Sequence, residues 1–223
     1  MHQLELRKQV CQANQALASS GLVRWTSGNA SGRDPATGEI VIKPSGVLFD
    51  DLTPEKMVVL DASGHVIDGD LKPSVDSTSH LYVYQNMPQV HGVVHTHSQY
   101  ATGFAVAGRD LPISTTTHAC LFGARIPCSG LASIGETEIG REIVRLIGDG
   151  SAVLLRNHGV FTVGKSAWDA LKYAVYAEES AEASFLAHQL TGEIPELDST
   201  FVAGCRSMYL NDYGQEKENN SNY

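Results

Sequence analysis

Residues 90–97 read Val-His-Gly-Val-Val-His-Thr-His, and no other stretch constrains the fold so tightly. The apolar run reads as a short buried β-strand, in which residues i and i+2 point to the same face. His95 and His97 therefore share a face at the strand's end, where two imidazoles can reach one ion. Upstream, Lys-Pro-Ser-Val-Asp places Asp76 just before a helical pattern. Downstream, Arg-Asn-His-Gly places His158 at the end of another apolar strand. Three imidazoles and a carboxylate make a set that a borderline divalent ion such as Zn²⁺ accepts. The pattern predicts a metal enzyme.

The rest of the chain supplies a sheet and its cover. Leu6, Val10, Ala13 and Leu17 form a helical stripe over 3–19 that Gly21 closes. Residues 26–31 read as a loop, 39–43 as a strand, and Thr53-Pro54-Glu55 as the start of a short helical turn. Residues 57–61 and 65–68 read as a β-hairpin, 76–87 as a helix ending before Pro88, and 98–107 as a helix ending before Gly108. Ile139, Ile143 and Ile147 mark a helix over 136–147, followed by strands over 151–156 and 160–163. The longest helix spans about 166–190, opened by a Ser N-cap, and a shorter one precedes Tyr209. Hairpins exclude a purely parallel sheet, and helices on both faces are expected. The residues from 216 onward are polar enough to be disordered.

Composition removes several function classes. Sixteen basic against twenty-five acidic residues give a net charge of −9, the wrong sign for a nucleic-acid or anionic-membrane surface. A small phosphorylated substrate is still compatible, because a few pocket donors can hold it. No apolar run approaches a bilayer span, and charge occupies the N-terminus where a signal peptide needs its apolar segment, so a cytoplasmic location is expected. The cysteines at 11, 120, 128 and 205 lack Cys-x-x-Cys spacing and read as reduced thiols. A second, polar set (Gly28-Asn29, Lys43-Pro44-Ser45-Gly46 and Pro73-Ser74) offers donors of the kind a phosphate monoester needs. The same residues are ordinary turn formers, and spacing alone favours that reading.

Together, Ser-Gly-Asn-Ala-Ser, Ile-Lys-Pro-Ser-Gly-Val, Lys-Pro-Ser-Val-Asp, Val-Val-His-Thr-His-Ser, Thr-Thr-Thr-His-Ala, Asn-His-Gly-Val-Phe and Asp-Tyr-Gly-Gln resemble the class II aldolase/adducin family. The motifs occur in the family's order from about Leu4 to Gln215, which implies one domain over 1–215. The branch most resembled is that of the L-ribulose-5-phosphate 4-epimerases, which place Asp in the Pro-Ser-x-Asp motif and end in Tyr-Gly-Gln. L-fuculose-1-phosphate aldolases, with Glu at the Asp76 position, are more distant.

The resemblance implies a three-layer α/β/α fold with a central, largely antiparallel sheet, in a homotetramer whose active sites lie between subunits. It implies zinc, or another divalent transition metal, on His95, His97 and His158, with Asp76 as a fourth ligand or metal-side base. Asn29, Lys43, Ser45, Gly46 and Ser74 match phosphate-binding positions, and Thr116 and Thr117 match threonines lining the site. Tyr213 matches a catalytic tyrosine supplied by an adjacent subunit. The implied chemistry is retro-aldol cleavage of a ketose phosphate through a metal-stabilised enediolate. An aldolase then releases the aldehyde, whereas a 4-epimerase rotates it and re-forms the bond, which needs an acid/base group on each face. A 3-keto acid phosphate decarboxylase could use the same enediolate.

The chain departs from the epimerase pattern in three places. Cys120 stands where the epimerases have an acid/base aspartate, with His118 two residues away as a substitute. Arg206 stands where the branch commonly has a histidine, and Val75 replaces the second serine of the phosphate motif. The branch resemblance still sets the expected function as 4-epimerase-like, and Cys120 makes an aldolase on a related ketose phosphate the alternative.

Overall fold

The computed structural model describes residues 1–214; the tail from 216, expected to be disordered, lies outside them. Seven strands form one sheet: β1 (Asn29–Arg33), β2 (Ile40–Ile42), β3 (Val58–Leu60), β4 (Val66–Asp68), β5 (Gly92–Thr96), β6 (Ala152–Leu155) and β7 (Gly159–Gly164). Their order is β4-β3-β2-β1-β5-β7-β6, and every neighbouring pair is antiparallel. The helices are α1 (Leu4–Ser19), α2 (Ser77–Asn86), α3 (Gln99–Ala107), α4 (Thr116–Leu121), α5 (Glu138–Ile147), α6 (Ala167–Thr191) and α7 (Ser199–Asn211).

Strand alternation divides the apolar residues between two layers. Val41, Val59 and Val94 pack beneath α1 and α6, with Val10, Leu17, Ala170 and Ala174. Ile40, Ile42, Val58, Val93 and Phe161 pack beneath α2 and α5, with Val83, Ile139 and Ile143. The three-layer α/β/α expectation holds. A third cluster joins α3, α4 and α6 beyond β6, through Phe104, Leu111, Leu121 and Ala177.

Two elements depart from the sequence expectation. Residues 29–33, Asn-Ala-Ser-Gly-Arg, form the buried strand β1 between β2 and β5, although 26–31 reads as a loop. Its pairing with Ile40–Ile42 on one side and Gly92–His95 on the other overrides a composition poor in strand formers. The six-residue α4 has no counterpart in the sequence pattern. Thr115 caps it by accepting from the His118 amide, and Arg206 Nη1 donates to the Cys120 and Leu121 carbonyls at its far end. Helix α7 runs through Tyr209 rather than stopping before it.

Candidate active site

The strand β5 delivers Val93 and His95 to the α2 face, and the chain carries His97 two residues further. The partner strand β7 brings Phe161 opposite His95, where the rings stack with centroids 4.3 Å apart. Between β6 and β7 the chain reverses through Asn157, at φ +57°, and presents His158. Gly159 makes that approach possible, because a Cβ there would lie 2.3 Å from the Thr96 carbonyl and 2.8 Å from the His97 ring. At the opposite wall Gly28, at φ +83°, would meet Val23 at 2.5 Å if it carried a Cβ.

The three imidazoles converge. One ring nitrogen from each of His95, His97 and His158 lies within 4.8 Å of the others. His95 Nδ1 sits 3.0 Å from the Val160 carbonyl, so Nδ1 carries the proton and the Nε2 lone pair is free. Burial pushes the His95 pKa down to about 3 and lowers those of His97 and His158. All three rings are neutral at pH 7 and can donate lone pairs to one ion. Nitrogen donors in this geometry fit zinc or another imidazole-preferring divalent ion.

Asp76 stands beside this cluster and is not one of its members. It occupies the N-cap position of α2 but caps no amide with its side chain. Its Oδ2 instead accepts from Asn29 Nδ2 at 2.7 Å. Burial works to raise its pKa, but His95, His80 and the Asn29 hydrogen bond outweigh this and hold the carboxyl below its usual range. Lys43 is almost wholly buried. Its Nζ donates to the Thr26 and Pro44 carbonyls at 3.3 and 3.4 Å and sits 4.8 Å over the Phe49 ring. Desolvation lowers the pKa of this lysine to about 8, against an opposing pull from Asp76.

A cavity of about 330 Å³ gathers most of the sequence-derived candidates in its lining: Asn29, Lys43, Ser45, Gly46, Ser74, Asp76, His95, His97 and His158. Val75 and the exposed Ile134 also line it. Sequence reasoning missed Ile134, whose only signal is an apolar residue in a Gly- and Ser-containing loop. Thr116, Thr117, His118, Cys120 and Tyr213 are not among the residues lining this cavity in a single chain. His118 is fully buried, with Nε2 2.9 Å from the Ala124 carbonyl. The Cys120 thiol faces Cys205, and burial together with that neighbour pushes its pKa up. Tyr213 is 70% exposed and stacks on Tyr209.

Three neutral imidazoles around one point, at the end of a helix-covered antiparallel sheet, define a metal-dependent enzyme. Residues 8–185 match the family model described as "Class II Aldolase and Adducin N-terminal domain", and the chain belongs to that family. An L-fuculose 1-phosphate aldolase structure shares 26% identity over 94% of this chain and 98% of its own, with a TM-score of 0.88. YgbL from Escherichia coli, described as "a putative aldolase/epimerase/decarboxylase", shares 27% identity over 91% and 98%, with a TM-score of 0.81. The L-fuculose-1-phosphate aldolase of Thermus thermophilus shares 25% over 86% and 98%, with a TM-score of 0.74. No helix among the described residues is long and apolar enough to cross a membrane.

Proposed function

We propose that this protein is a class II aldolase that cleaves a ketose phosphate, with zinc or a similar divalent ion on His95, His97 and His158. One observation carries the reading: the histidine triad, the Asp76 carboxylate and the buried Lys43 open onto the same cavity. When bound, the ion polarises the substrate carbonyl as a Lewis acid. Asp76 is ionised, oriented by Asn29 and placed beside the triad, so it serves as the base that takes a substrate proton. Lys43 and the strand residue Asn29, with the loop donors of Ser45, Gly46 and Ser74, hold the phosphate. A dianion beside its Nζ adds to the counter-charge of Asp76, and the lysine's pKa rises on binding.

Neither His118 nor Cys120 reaches the cavity within a chain, so a second acid/base group must come from elsewhere. In a homotetramer with sites between subunits, an adjacent chain's Tyr213 is that group. In 4-epimerisation the epimerases set an aspartate opposite that tyrosine, and Cys120 at the aspartate's position favours the aldolase. The second reading, an L-ribulose-5-phosphate 4-epimerase, draws support from Asp in place of Glu at position 76 and from the terminal Tyr-Gly-Gln.

The test is to incubate metal-loaded protein separately with L-fuculose 1-phosphate and L-ribulose 5-phosphate and to quantify released aldehyde and epimerised ketose. Aldehyde release with little epimer supports the aldolase. Epimer without released aldehyde moves the assignment to the epimerase, and neither product from either sugar rejects both substrates.

A further inference from the structure

Beside the cavity, a side chain completes the sheet. Strand β1 pairs with β2 only as far as Ser31↔Ile42, whereas with β5 it continues to Asn29↔His95. The next rung on the β2 side would set Ala30 against Lys43. Lys43 leaves the sheet instead. Its carbonyl accepts from the Ser74 amide at 3.0 Å, and the Ser45 amide donates to the Lys72 carbonyl at 2.9 Å. This second pairing sets Pro44 against Pro73 and brings Lys43, Ser45 and Ser74 into the cavity lining.

Ala30 is left facing the vacated rung. In an antiparallel ladder each residue turns its N–H and C=O to one neighbour, and successive residues alternate. Arg33 N–H donates to the His91 carbonyl at 2.9 Å, so Arg33 faces β5 and Ala30 faces β2. Ala30 is wholly buried, so both of its main-chain groups need a partner from the protein.

Asn14 on α1 is that partner. Its Oδ1 accepts from Ala30 N–H at 2.8 Å, and its Nδ2 donates to the Ala30 carbonyl at 3.0 Å. The other Nδ2 hydrogen goes to the Val10 carbonyl, one turn back, at 2.8 Å. The reversed amide would set its NH2 against the Ala30 N–H, so the orientation is fixed. Asn14 is wholly buried among Val10, Ala13 and Leu17, where an apolar residue would serve packing alone. The peptide it holds joins Ala30 to Asn29. Asn29 Nδ2 in turn donates to Asp76 Oδ2 at 2.7 Å and to Ser74 Oγ at 3.1 Å.

We propose that Asn14 is a positioning residue: its carboxamide takes the rung that Lys43 vacates, and by holding the Asn29–Ala30 peptide it keeps Asn29 against Asp76 and Ser74. Its effect on turnover rests on the aldolase reading above, whereas the placement of Asn29 does not. Asn14→Leu keeps the volume and removes both bonds to Ala30. In its crystal structure Asn29 Nδ2 should stand more than about 3.2 Å from Asp76 Oδ2, beyond a hydrogen bond. An Asn29 that keeps this contact overturns the proposal. Asn14→Asp keeps the acceptor but turns an oxygen on the Ala30 and Val10 carbonyls, and it serves the same measurements if Asn14→Leu does not fold.

Turnover shows whether Asn14 acts through Asn29. Asn14→Leu should lower kcat about 10- to 100-fold, the scale of a small misplacement in a site. It should keep zinc at the wild-type stoichiometry, because β7 pairs with every residue of β5. Asn29→Ala should lower kcat by a similar factor, and the double variant should fall no further than Asn29→Ala alone. Losses that multiply in the double variant, or zinc lost from Asn14→Leu, overturn the proposal, since Asn14 would then support the sheet at large. If the wild type turns over no ketose phosphate, the aldolase reading fails, while the crystallographic distance still decides this one.

Discussion

Replacing Lys43 by methionine separates what the cavity does for binding from what it does for stability. The folded-state pKa of about 8 lies below an unfolded value of about 10.4. At 1.36 kcal/mol per decade, keeping the buried ammonium charged at pH 7 costs roughly 3 kcal/mol. Water reaching Nζ through the open side of the cavity screens part of this, leaving about 1–2 kcal/mol. Methionine keeps the apolar stem over Phe49 without the charge. Lys43→Met should therefore raise Tm at pH 7 by about 2–8 °C, at 2–4 °C per kcal/mol for a chain of this size.

The pH dependence has a fixed sign. Between about pH 8 and pH 10.4 the unfolded lysine binds its proton more tightly than the folded one, so wild-type stability rises with pH in that window. The advantage of the variant should shrink across the same window. Phosphate supplies the second half of the assay: inorganic phosphate should raise the wild-type Tm and leave that of Lys43→Met unmoved. A variant less stable than wild type at pH 7, or one that keeps the phosphate response, refutes the reasoning.

The other predictions concern the metal wall and the loop beyond it. His97→Ala should lose stoichiometric zinc, read by metal analysis after dialysis, because two imidazoles no longer complete the site. Gly159→Ala should lose about 1–3 kcal/mol in denaturant unfolding as the new methyl meets the Thr96 carbonyl, and should bind zinc more weakly. Asp76→Asn should keep the metal and lower kcat by about 10²–10⁴-fold in a coupled aldehyde assay, the range for a lost general base. Cys120→Ser should leave cleavage within about threefold, since its thiol faces Cys205 rather than the cavity.

The metal wall was legible because it follows from local periodicity. An i, i+2 histidine pair on an apolar strand has one geometry, and Asn-His-Gly between two strands allows a tight return beside it. The strand β1 was not legible. Asn-Ala-Ser-Gly-Arg carries no β-branched residue, and its place between β2 and β5 comes from long-range pairing that a window of sequence does not contain. The hydrogen bonds of Ser31 with His80 and Tyr84 were hidden for the same reason, since the register of β1 with α2 exists only once β1 is a strand. The positions matched through Thr116, Thr117, His118, Cys120 and Tyr213 carry no periodic signal of their own. In one chain they stand away from the cavity that the other candidates share.

The most direct test of a metal-dependent aldolase is the rate of aldehyde release from L-fuculose 1-phosphate before chelation, after it, and after zinc is restored. The triad predicts release that disappears with the metal and returns with it. Release that persists at full rate in metal-free protein would contradict the account.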